Sequence, residues 1–267
     1  MTTTIDGGAA IRLPESLALD DTRRPVPPTR LPSETTPMPS PARFADRPVD
    51  AVVFDLDGTL IDSAADLGRA ANRLLDEEGR RALSMAEVRS FIGDGARVLV
   101  DRAMAATGTA AAADALDQLT RRFIAHYEAD ATAATTVYPS VPETLAVLRR
   151  TGVRVGVCTN KPQAATATVL EALGLAGMVE AAAGGDRFPV RKPDAGHLLG
   201  TLELLGVPAE RAVMVGDNEH DAAVARAAGT GAVLVTYGYA RKPLAEIDVD
   251  ARIDRLDRLL ELLGLDG

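Results

Sequence analysis

The sequence predicts an α/β fold: a doubly wound, Rossmann-like parallel sheet core with an inserted all-helical domain. Three observations predict it. Short, nearly continuous apolar runs recur, as expected of strands covered on both faces. Helical patterns closed by glycine separate the later runs, which implies βαβ units and a parallel sheet. Between the first run and the second lie about a hundred residues of mostly helical pattern, too many for one crossover helix.

Residues 1–48 stand apart. They hold nine of the 16 prolines, and their apolar residues are scattered without period. Such a segment cannot bury enough surface to offset its ordering entropy, and it reads as a disordered tail. The first strand is VDAVVFDL (49–56). The insert over 66–136 carries four helical stretches: ADLGRAANRLLDEEG, MAEVRSFIG, GARVLVDRAMAATG and ALDQLTRRFIAHYEAD. The Ala-rich stretch at 105–115 reads as the connection between its last two helices. The core, 49–65 and 137–267, resumes with the helix in YPSVPETLAVLRRTG. Strands follow at VRVGVCT (153–159), MVEAAAGG (178–185), AVMVGD (212–217) and GAVLVTYG (231–238). The helices between them end at Gly174, Gly206 and Gly229, where glycine suits the position just past a helix.

Composition narrows the function. Of 267 residues, 46% are apolar and 25% charged, but only 3% are aromatic and Trp is absent. The core must therefore be packed with Ala, Val and Leu. The net charge of −9 and the lack of a basic patch argue against a nucleic-acid partner. A negative protein also repels anionic substrates at long range, so a phosphate site must be built locally from a few donors. The single cysteine, Cys158, allows no intramolecular disulfide, which fits a reducing compartment. MTTTIDGGAA has neither a basic nor an apolar leader region. No apolar run approaches the ~20 residues that span a bilayer. The expectation is a soluble cytoplasmic protein with no membrane partner.

The stretch VVFDLDGTLIDS (52–63) carries the chemistry. In a doubly wound sheet, ligands bind outside the carboxyl ends of the strands. Asp55 ends the first strand there. The other strand ends bring Thr159-Asn160-Lys161 and Gly216-Asp217, and Lys192 follows the third strand. Clustered carboxylates raise each other's pKa unless a cation intervenes. Asp55, Asp57 and Asp217 offer hard oxygen ligands suited to Mg²⁺. Lys192 adds positive charge, and Thr159 and Asn160 add neutral donors. Such a site suits phosphoryl transfer, in which a carboxylate can itself attack phosphorus. Each piece has a plainer reading in isolation: the DxD as a strand-end turn, TNK as a strand-to-helix cap with Thr159 or Asn160 as N-cap, Lys192 as a surface lysine, Asp221 as a first-turn acid. Cys158 reads as a small core residue, and His126 and His197 as structural or surface residues. His220 lies in the GDNEHD loop with no role marked for it.

Taken in order, DLDGTLIDS (55–63), TNK (159–161), the lysine of RKP (191–193) and GDNEHD (216–221) resemble the four motifs of the haloacid dehalogenase superfamily, phosphatase branch. The insert resembles that superfamily's helical cap. The resemblance covers about 50–263. Within it, FIGDGARVL (91–99), TNKP (159–162), EALGL (171–175), GGD (184–186) and LVTYGY (234–239) are similar to segments of the bacterial phosphoglycolate phosphatases. The resemblance implies a Mg²⁺-dependent phosphomonoesterase acting on a small phosphorylated metabolite, as a monomer or homodimer. Asp55 would be the nucleophile and Asp57 the general acid/base, its main-chain carbonyl also on the metal. Thr159 and Asn160 would hold the phosphoryl group, Lys192 would stabilise it, and Asp217 would complete the metal ligands. Asp221 would ligate directly or through water. In the cap, Gly93 and Gly95 allow close backbone approach, and Arg97 could pair with a substrate carboxylate; otherwise it is a solvated arginine at a helix N-terminus. Two departures stand out: Asn218 where serine is common, and Ala195 where a second proline would stiffen the loop after Lys192. Rival readings are a phosphatase for sugar phosphates, nucleotides or pyrophosphate, a β-phosphoglucomutase-like phosphomutase, and a non-catalytic binding protein. The joint presence of Asp55, Asp57, Lys192 and Asp217 argues against the last.

Overall fold

The computed structural model describes residues 43–44 and 46–265. An antiparallel pair, β1 (Arg43–Phe44) and β2 (Arg47–Pro48), comes first. It lies inside the stretch expected to be a tail. Phe44 is buried in the core, so one aromatic side chain supplies the apolar anchor that the composition of 1–48 obscured. The rest of the expected tail, 1–42 and residue 45, lies outside the described residues.

The core strand β3 (Ala51–Phe54) is buried at all four positions, as its unbroken apolar run demands. The chain then forms β4 (Ile61–Asp62) and the helices α1 (Ala64–Glu77), α2 (Met85–Phe91), α3 (Ala96–Thr107) and α4 (Ala113–Ala129). It returns through β5 (Thr136–Val137) to α5 (Val141–Arg150), β6 (Arg154–Cys158), α6 (Gln163–Ala172), β7 (Ala181–Ala183), α7 (Ala195–Leu205), β8 (Ala212–Gly216), α8 (Glu219–Ala228) and β9 (Gly231–Val235). β10 (Ala251–Ile253) and α9 (Arg258–Leu262) follow. Six strands make one parallel sheet in the order β10-β9-β8-β3-β6-β7. The α/β fold class read from the sequence is the one observed. The sequence reading stopped at five strands; β10 escaped it because Ala-Arg-Ile is short, half-polar and at the sheet edge, where no apolar run is required.

Two features set up the strand ends. β3 lies between β6 and β8, with Phe54 level with Val157 and Val215. Residues one or two further on, Asp55, Thr159 and Asp217, therefore emerge beside one another. The helical insert leaves and rejoins the core at one place, because β4 pairs antiparallel with β5, Ile61 opposite Val137. Asp66 at the start of α1 fastens this junction, accepting from the Ala134 and Thr135 amides and the Thr135 hydroxyl at 2.6 to 3.1 Å. Burial opposes its ionisation, but the Thr135 and Ala134 hydrogen bonds outweigh that and hold its carboxyl below the usual range. Apolar side chains close both faces. Phe54, Leu60, Leu74, Leu145 and Leu198 are fully buried, each contributing roughly 1.5–3 kcal/mol by removal from water.

Candidate active site

Backbone pairing carries Asp55 to the carboxyl edge of the sheet: its amide donates to Val215 O at 2.9 Å, one residue beyond the β3 ladder. Its Oδ1 lies 2.8 Å from Lys192 Nζ, and the same ammonium donates to Asp221 Oδ1 at 2.7 Å. Asp55, Asp217 and Asp221 are all buried, with one oxygen from each within 4.8 Å of the others. Burial pushes the Asp55 carboxyl up to about 6, Lys192 opposing and Asp221 and Asp57 adding to the rise. Burial, then Asp221 and Asp55, push Asp217 well above its ordinary value. Burial disfavours the Lys192 ammonium, yet Asp221 and Asp55 more than compensate and raise its pKa. One ammonium thus meets two of the three buried carboxylates, and the three together make a donor set of hard oxygens that fits a divalent cation such as Mg²⁺.

Local sequence explains the placement. Gly58 turns the chain after Asp57 with φ +92°, and a Cβ there would collide with Asp217 Oδ2. Asn218 caps α8 by accepting from the His220 amide at 2.8 Å, while Asp221 accepts from the Asp217 and Asn218 amides. Asp221 is thus a first-turn acid that also holds Lys192. Asn218 also donates to Asp217 Oδ1 at 2.8 Å, and the Tyr239 amide donates to Asp217 Oδ2 at 2.6 Å.

The loop expected to be loose after Lys192 is fastened. Asp194 caps α7 through the Gly196 amide, and the Lys192 amide donates to His197 Nδ1 at 3.2 Å. His197 Nε2 lies 3.1 Å from Gly184 O and donates to it. Burial, and then Lys192, push this imidazole down to about 4. The neutral ring therefore stabilises the fold fully above the unfolded pKa near 6.5, and that contribution drains away as pH falls from there toward 4. Denaturant unfolding at pH 7 and pH 4.5 should show about 2 kcal/mol of this loss, and His197→Asn should flatten that part of the pH dependence.

Thr159 and Asn160 sit at the end of β6, buried, but neither caps a helix. α6 starts only at Gln163, whose amide donates to Asp186 at 2.7 Å. Asn160 Nδ2 instead donates to Gly93 O of the insert and Lys192 O, at 2.9 and 3.1 Å. Asp57 is turned from the carboxylate cluster: Ser63 Oγ donates to it at 2.6 Å, and Lys161 Nζ donates to both its oxygens at 3.1 and 3.2 Å. A cavity of about 560 Å³, open mouth included, lies over Asp55 and Asp57 between the core and the insert. Gly93 and Gly95 line it.

Arg97 is the exception among the residues singled out in the sequence. As the second residue of α3 it points along the helix surface and donates to Asp117 Oδ1 at 2.8 Å, both side chains about half exposed. It does not line the cavity. The neighbouring Asp94 does reach the core, accepting from Arg241 and pairing with His220. Lys161 and Tyr127, which line the cavity, were not singled out. Lys161 stood in the quoted TNK, but only the fold shows its ammonium on Asp57. Cys158 is a buried free thiol that burial pushes up to about 12, as suits a core residue.

Residues 52–235 match the family described as haloacid dehalogenase-like hydrolase. The chain belongs to this family. Among haloacid dehalogenase-like relatives, a phosphoglycolate phosphatase of Rhodospirillum rubrum is 44% identical over 218 residues, 80% of this chain and 90% of the relative. Another from Agrobacterium fabrum is 40% identical over 79% of this chain and 91% of its own. A solved structure from Haemophilus somnus 129pt, described as a predicted phosphoglycolate phosphatase, superposes with a TM-score of 0.76 at 30% identity, over 80% of this chain and 97% of that one. With such relatives, this member of the haloacid dehalogenase-like family is a phosphoric monoester hydrolase. Among the described residues no helix is long and apolar enough to cross a membrane.

Proposed function

We propose that the chain hydrolyses 2-phosphoglycolate to glycolate and phosphate through an aspartyl-phosphate on Asp55. The observation that carries this reading is the Asp55–Lys192 pair at the strand ends, 2.8 Å apart beneath the cavity. Relatives named phosphoglycolate phosphatase over most of their length supply the substrate. An Asp55 carboxylate oxygen attacks phosphorus, and the bond from phosphorus to the glycolate oxygen breaks. Asp57 gives its proton to that oxygen and glycolate leaves. Water then attacks phosphorus, Asp57 takes the water's proton, and the acyl phosphate bond breaks to release phosphate and restore Asp55.

Thr159 and Asn160 hold the phosphoryl oxygens, and Lys192 offsets their charge. Asp55, Asp217 and the Asp57 main-chain carbonyl would hold Mg²⁺, with Asp221 bound directly or through water. The bound ion supplies positive charge against the phosphate and the carboxylates. The four helices of the insert act as a cap that excludes bulk water. The proposed compartment is the cytoplasm, and the proposed partner is a small phosphorylated metabolite.

A phosphate-release screen over small phosphate esters tests this. Phosphoglycolate should exceed sugar phosphates, nucleotides and pyrophosphate in kcat/KM by about 10-fold or more. Chelation should lower the rate, and added Mg²⁺ should restore it. A sugar phosphate ranking first would overturn the substrate assignment. A rate indifferent to chelation would overturn the metal assignment.

A further inference from the structure

The cavity over Asp55 has two unlike walls. The insert contributes apolar side chains, among them Leu67, Leu99, Phe123 and Ile124, and the Tyr127 phenol. The core contributes the polar groups. Among the lining residues Lys161 is the one cation. Lys192 is already engaged by Asp55 and Asp221, and Arg97 faces Asp117. A carboxylate entering an apolar cavity needs a paired charge, because leaving it unpaired costs several kcal/mol. Lys161 meets that need. Its side chain is 3% exposed, and its ammonium sits 4.3 Å from the centre of the Tyr127 ring. Its bonds to the two Asp57 oxygens use two of three N–H groups and leave one for a further acceptor. The Tyr127 hydroxyl is buried beside that ammonium and keeps its own O–H to donate, so a second donor stands in the same cavity.

We propose that Lys161 binds the carboxylate of the substrate's leaving group, with the Tyr127 hydroxyl as second donor. This rests on the substrate reading above. Selection for an acidic leaving group then comes from the core, and the insert contributes an apolar wall and one phenol.

The test compares phosphoglycolate with 2-hydroxyethyl phosphate, an ester of similar size whose leaving group is uncharged, in the full chain. Wild type should favour phosphoglycolate in kcat/KM. Lys161→Met should lower that preference by about 10- to 100-fold, largely through KM for phosphoglycolate. Tyr127→Phe should lower it by a smaller factor, and it decides the matter if Lys161→Met does not fold. Arg191, whose guanidinium lies beside Gly95 outside the lining, serves as the control: Arg191→Met should keep the preference. Equal losses on both esters in Lys161→Met would mean that the lysine acts only through Asp57, and would overturn the inference. An unchanged preference, or its collapse in Arg191→Met alone, would do the same. A wild type that releases phosphate from other esters but not from phosphoglycolate would instead overturn the substrate reading itself.

Discussion

Replacing Asp55 with Asn is expected to slow phosphate release by about 10⁴-fold or more, as removal of a nucleophile does, while the fold persists. Asparagine has nearly the same shape, so the packing at the end of β3 is preserved. What changes is charge. The Asp55 carboxyl is pushed up to about 6 by burial against the pull of Lys192. Its raised pKa means that the native state binds the proton more tightly than the unfolded chain does. The stability this group contributes is present at low pH and is lost as pH rises from about 4 through about 6. At neutral pH the metal-free wild type thus carries a destabilising charge that Asp55→Asn lacks. The variant should melt at the same temperature as wild type or slightly higher. Lys192 keeps its 2.7 Å contact with Asp221, so it is not left unpaired. Phosphate-release assays with thermal melts in metal-free buffer check both halves. Substantial activity in Asp55→Asn would remove it from the nucleophile's role, and a large fall in melting temperature would make it a structural residue.

The grouping of Asp55, Asp217, Thr159 and Lys192 was legible because each follows a strand whose apolar run is local in the sequence. The parallel register of β3, β6 and β8 then brings the strand ends level. What was not legible depends on chain segments that meet only in the fold. Lys161 touches Asp57, 104 positions away, and Tyr127 reaches the cavity from α4; neither carries a local mark. Arg97 shows the converse. Its neighbours Gly93 and Gly95 do line the cavity, but the turn of α3 sends its side chain to Asp117. Sequence proximity to a site does not fix side-chain direction on a helix. The β4–β5 pair at the base of the insert was missed because two-residue strands carry no periodic signal.

Replacing Asp57 with Asn is expected to separate the two half-reactions. General acid/base groups contribute about 10²- to 10⁴-fold, and both halves should slow on phosphoglycolate, whose alkoxide leaving group needs a proton. With p-nitrophenyl phosphate the leaving phenolate needs none. The first half should then run nearly unimpeded, while attack of water on the Asp55 acyl phosphate lacks its base. The expected time course is a burst of nitrophenol near one equivalent per enzyme, followed by a slow steady state. Acid-quenched protein should carry phosphate on Asp55. Nitrophenol and phosphate released in step, with no burst, would remove Asp57 from the second half. The geometry bears on the size of the effect. In wild type, Ser63 and Lys161 donate to the Asp57 carboxylate, and these bonds orient it. An asparagine cannot accept at both side-chain positions, so Lys161 loses one of its two acceptors. Part of the loss on phosphoglycolate should therefore appear in KM, and that part should be absent with the nitrophenyl ester, which offers the lysine no carboxylate.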